Sequence, residues 1–74
     1  MIKDLDTVAL IAEQPEYGLT KGDLGTVVHV YAGNQAYEVE FTTLAGETIG
    51  VLTLKAGDVR PITGREIAHA RQVA

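Results

Sequence analysis

The chain has no cysteine, no tryptophan and no serine among its 74 residues. Without cysteine, disulfides and thiolate metal sites are excluded. Losing serine and cysteine together removes the usual covalent nucleophiles and leaves only weaker candidates for covalent catalysis. Positive charge is also scarce. Six Lys and Arg stand against ten Asp and Glu, for a net charge of −4. Nucleic-acid binders need clustered Lys and Arg to displace counterions, and here the basic residues are scattered. No segment is apolar for long enough to span a membrane, and Met1–Asp6 lacks the apolar core of a signal peptide. A cytoplasmic location is the resulting expectation.

What is present is a small apolar chain. A single domain of this size draws only roughly 3–5 kcal/mol of net stability from its core. Hydrophobic residues make up 46% of the chain, which is high for a chain with so few interior places. Some apolar side chains must therefore reach the surface, and self-association or a protein partner is the expected reason.

Turn signals recur at the spacing of a small all-β barrel. The most informative stretch is Lys21-Gly22-Asp23-Leu24-Gly25-Thr26-Val27-Val28-His29-Val30, a glycine-marked turn feeding a β-branched run. Five strands are expected, at residues 6–12, 24–31, 36–43, 48–54 and 58–62, with a single 3₁₀ turn at Ala56-Gly57. A positive φ is expected at Gly22 or Gly25. On that ground Gly25→Val should destabilise the fold by more than about 1 kcal/mol.

Two-residue hairpin loops at Gly33-Asn34 and Ala45-Gly46 would pair Val30 with Tyr37, Val28 with Val39 and Thr26 with Phe41. They would also pair Val39 with Leu52, Tyr37 with Leu54 and Phe41 with Gly50. Both registers put Val28, Val30, Tyr37, Val39, Phe41, Leu52 and Leu54 on one face, the expected core. Val8, Leu10, Leu19, Leu24 and Val59 should close it.

The opposite face then carries the candidate interface. His29, Glu38 and Thr53 form one row, and Val27, Glu40 and Val51 the next, with Thr42 and Ile49 beyond. Val27, Ile49 and Val51 would be apolar side chains on the outer surface. His29 beside Glu38 has the residue types of a general-base pair or half a metal site. A metal needs three or four converging ligands, and the only other histidine is His69. An exposed cross-strand polar pair is the simpler reading, so no metal and no cofactor are expected. Asp4, Asp6, Glu13 and Glu16 lack calcium-loop spacing and read as solvated surface. Gly22-Asp23-Leu24-Gly25 lacks the Lys-Ser/Thr and helix of a phosphate loop. Tyr17 and Tyr31, without tryptophan, do not make a polyproline groove.

Residues 63–74 change character. Thr63 with Glu66 is a capping-box pattern, and Ile67, Ala70 and Val73 or Ala74 fall on one helical stripe. A short C-terminal helix and a disordered tail are both open, since a helix of about ten residues is marginal alone. The expected division is a barrel over 1–62 and a tail over 63–74.

Gly22, Gly25, Val27 and Val28 resemble the opening of SH3-like barrels. A closer resemblance rests on Leu5-Asp6-Thr7-Val8, Pro15-Glu16-Tyr17-Gly18-Leu19, Gly22 to Val28, Tyr37-Glu38-Val39-Glu40-Phe41 and Val51-Leu52-Thr53-Leu54. Together these are similar to a family of short bacterial proteins classified only as a domain of unknown function. The resemblance implies a freestanding bacterial protein with a five-stranded SH3-like barrel, and it carries no catalytic residues. The expected function is a non-enzymatic protein–protein interaction module, working as a small homo-oligomer. A second reading is an antitoxin or immunity protein that binds the product of a neighbouring gene through its acidic surface. A third, an accessory nucleic-acid-associated barrel, runs against the charge.

Overall fold

A computed structural model of the chain describes residues 1–73. The fold is all-β. Five strands form one antiparallel sheet: β1 (Thr7–Leu10), β2 (Leu24–Val30), β3 (Ala36–Thr42), β4 (Thr48–Lys55) and β5 (Val59–Pro61). Their order is β4-β3-β2-β1-β5. Consecutive strands pair as a meander, and β5 returns to the free side of β1. A 3₁₀ turn at Ala56–Asp58 delivers the chain into β5, as the Ala56-Gly57 signal suggests. β1 is shorter than its apolar run because the N–H groups of Ile11 and Ala12 both turn to the Asp58 carbonyl.

One face of the sheet closes on a core of Val8, Leu10, Leu19, Val27, Tyr37, Val39, Phe41, Leu52, Leu54 and Val59. β3 shows the period-two pattern most cleanly, with Tyr37, Val39 and Phe41 buried between Glu38, Glu40 and Thr42. The β3–β4 register is the expected one: Tyr37 opposite Leu54, Val39 opposite Leu52, Phe41 opposite Gly50. It arises by a different route, however. The Thr43 N–H donates to the Glu47 carbonyl across a three-residue loop, and Thr42 faces Thr48. The irregularity between these pairs leaves Ile49 as the extra residue, which restores the register from Gly50 onward. Ile49 consequently turns off the outer row and packs, half-buried, against the core.

β2 departs from expectation in the same manner. Val30 faces Tyr37 and His29 faces Glu38, but Val27, not Val28, faces Val39, and Thr26 faces Glu40. A bulge at Val28 absorbs the difference. It corrects two assignments. Val27 is fully buried, at 0% exposure, and Val28 stands outside at 41%. Leu24 also lies outside the core, at 45%, because the alternation that buries Gly25 and Val27 turns Leu24 outward.

Gly22 has φ +94°, as the turn requires, whereas Gly25 does not have a positive φ. Gly25 is needed for space instead. A Cβ there would lie 2.6 Å from Val39 Cγ1 and 2.8 Å from Phe41 Cε1.

Residues 63–73 form no helix. The Thr63 N–H does donate to Glu66 Oε2 at 2.8 Å, but the Arg60 guanidinium grips both Glu66 oxygens at 2.9 and 2.7 Å. The turn is thus tied sideways to β5. No apolar stripe docks to extend it, since Ile67 is almost wholly exposed and so short a helix is marginal alone. Ala74, the last position of the expected stripe, lies outside the described residues.

Candidate interaction face

The outer surface of β2, β3 and β4 is built by alternation, modified at the β2 bulge. The row His29–Glu38–Thr53 crosses all three strands, and Thr26–Glu40–Val51 runs beside it. Because two successive β2 residues, Val28 and His29, are both exposed, Val28 enters the space between the rows. Of the residues expected here, His29, Glu38, Glu40 and Val51 are on this face. Val27 belongs to the core and Ile49 has turned away.

Glu38 is the hub. Its Oε2 accepts from the Tyr31 hydroxyl at 2.6 Å and the Thr53 hydroxyl at 2.5 Å. These bonds, Thr53 first and then Tyr31, hold its carboxyl below the usual carboxylate range. The same carboxylate pushes the Tyr31 phenol up. The His29 ring meets Tyr31 edge-on, with centroids 4.7 Å apart at 84°. In the second row, the Thr48 hydroxyl donates to Glu40 Oε2 at 3.1 Å. A general base works best with a pKa near the operating pH, and Glu38 is displaced the other way. The cluster is suited to holding a fixed negative charge.

Beside this charge the outer surface exposes Val28, Tyr31 and Val51, at 41%, 41% and 52%. The period-two pattern puts Val28 in the core, because bulges leave no mark in it. The hydroxyl pair on Glu38 was legible in part. Thr53 was aligned with Glu38, and Tyr31 lies two residues beyond His29 on the same side.

The tail makes a second feature. Arg71 donates from Nε to Asp23 Oδ1 at 2.7 Å and from Nη2 to Asp23 Oδ2 at 2.5 Å. Nη2 also reaches the Gly18 carbonyl at 2.8 Å. Arg71 first, with the Thr20 N–H, keeps the Asp23 carboxyl below its ordinary value against the opposing effect of burial. The strap so anchored borders an open groove of about 510 Å³ lined by Tyr17, Gly18, Ile49, Arg71, Gln72 and Val73. The two partners are 48 residues apart, and no local pattern announces them.

The acidic residues near the first loop have separate duties. Asp6 Oδ2 accepts from the Lys3 N–H, while Glu13 Oε2 accepts from the Thr20 hydroxyl and the Lys21 N–H. Among the described residues, no three His, Cys, Asp or Glu side chains gather to hold a metal ion.

A family model described as a domain of unknown function, DUF4926, matches residues 4–61. The chain belongs to the DUF4926 family. The match covers every strand from β1 to β5 and stops before the strap. No curated protein and no solved structure matches this DUF4926 chain. Among its described residues, no helix is long and apolar enough to cross a membrane.

Proposed function

We propose that this DUF4926 domain is a non-enzymatic protein-binding module and that the outer face of β2–β4 is its contact surface. The observation behind this reading is the bulge at Val28. It turns Val27 into the core and sets Val28 on the outer face in its place, on the same side of the sheet as Val51, Glu38 and Glu40. Interfaces combine an apolar patch that excludes water with polar and charged groups toward the rim, and Val28, Tyr31 and Val51 with Glu38 and Glu40 offer both. The fitting partner presents apolar side chains around one or more cationic groups. Its binding should weaken with salt. The strand order and the 3₁₀ turn before β5 support an SH3-like barrel.

The test is affinity capture from native lysate at low and high salt, with wild type, Val28→Lys, Val51→Lys and the remote control Lys3→Ala. A protein retained by wild type and the control, and lost with both valine variants while they stay folded, supports the reading. Capture that ignores both substitutions removes this face from the function.

A further inference from the structure

We propose that the open edge of β4 pairs antiparallel with the same edge of a second copy, joining the two sheets about a dyad at Leu52. This rests on the protein-binding reading in kind but on separate atoms, those of the main chain.

The sheet has two edges, β4 and β5, and they are unequal. β5 has three residues and ends in Pro61, which has no N–H to offer. Its Arg60 is held by Glu66 of the strap. β4 has eight residues, and its segment Ile49–Leu54 contains neither a charge nor a proline. Such an edge is a template for another strand. Because β5 is closed, β4 cannot continue head-to-tail onto the β5 of a neighbour, so open stacking is blocked. A two-fold pair of β4 edges uses the good edge twice and closes.

The direction of the main-chain groups selects the register. The Ala56 N–H donates to the Gln35 carbonyl, and Tyr37, Val39 and Phe41 lie opposite Leu54, Leu52 and Gly50. In antiparallel strands the N–H and C=O of alternate residues point to the same side. Gly50, Leu52 and Leu54 therefore bond to β3, and Val51, Thr53 and Lys55 face the open edge. Lys55 is already engaged, its N–H reaching Asp58 Oδ2 at 3.3 Å. Val51 and Thr53 remain, each with a free N–H and a free C=O. Only one two-fold register satisfies all of these groups among themselves, that with Val51 opposite Thr53 of the second copy and Thr53 opposite its Val51. Charge agrees. Antiparallel pairing carries Lys55 of each copy toward the Thr48 end of the other, where Glu40 and Glu47 lie, whereas parallel pairing would set Lys55 against Lys55. The joined sheet also brings the two Val51 side chains onto one continuous outer face.

The experiment is sedimentation of the full chain over a concentration series, with residue-resolved amide exchange at its two ends. The expected result is a monomer–dimer equilibrium in which the Val51 and Thr53 amides slow by about tenfold or more on concentration. Thr53→Pro removes an edge N–H that takes no part in the β3 ladder and should abolish the dimer. Thr53→Val keeps that N–H, loses the hydroxyl on Glu38, and should still dimerise. If Thr53→Pro does not fold, the wild-type exchange data decide. A chain monomeric at every concentration, or a dimer whose Val51 and Thr53 amides exchange freely, overturns the proposal. A monomer that still captures a partner through Val28 would sink the dimer and spare the binding face; a dimer that captures nothing would do the reverse.

Discussion

The sheet and the strap behind it are held by different forces. In the sheet, ten apolar side chains bury one another and no polar side chain is buried with them. In the strap, residues 63–73 are all exposed, and the anchors are two ion pairs, Arg60–Glu66 and Arg71–Asp23. Apolar burial adds up over many contacts and is indifferent to pH. Exposed ion pairs contribute little singly and answer to salt and acid. The two regions should therefore come apart under conditions that leave one of them intact.

The severest break is Phe41→Ala. Phe41 is 2% exposed at the centre of the core, and its truncation should cost about 3–5 kcal/mol, as large as the net stability of so small a domain. Circular dichroism should show an unfolded chain at 25 °C; a cooperative melt near that of wild type would mean that the core is organised differently. Gly25→Val comes next, with an expected loss of about 1–3 kcal/mol from overpacking against Val39 and Phe41. If enlarging Gly25 is tolerated in a denaturant melt, β2 does not approach β3 as described.

Smaller effects separate the strap. Arg71→Ala removes its distal anchor at Asp23 and Gly18. Limited proteolysis should then cut within residues 67–73 much faster, while the thermal midpoint stays close to wild type. A large fall in the midpoint would make the strap part of the folding unit. Acid should act similarly and most gently. Arg60, aided by the Thr63 N–H, lowers the Glu66 carboxyl from 4.5 to about 2. A depressed carboxylate pKa contributes stability that is present above the unfolded value and lost as pH falls through the folded one. Across that window, from 4.5 down to about 2, amide spectra of the strap should change before those of β1, which carries no titratable side chain. Simultaneous change in both regions would contradict the division.

Much of the architecture was legible, and particular residues show why. Tyr37, Val39 and Phe41 alternate with Glu38, Glu40 and Thr42, so only one face of β3 can be buried. That alternation also placed Glu38, Glu40, Thr53 and Val51 on the outer face. It failed at Val27 and Ile49 for a common reason. Each adjoins or occupies a bulge, and one extra residue flips the faces on one side of it. Gly25 was recognised as needed but for the wrong cause, since steric room depends on Val39 and Phe41, which lie across the sheet.

Alone, the sequence determined the strands, their antiparallel succession and the polarity of each face, because these follow from side-chain period and from turn residues acting over a few positions. Tertiary structure decided where the registers slip, that Arg71 meets Asp23, and that β4 keeps an open edge while β5 does not. Those outcomes depend on contacts between residues far apart in the chain, whose energies no local pattern encodes.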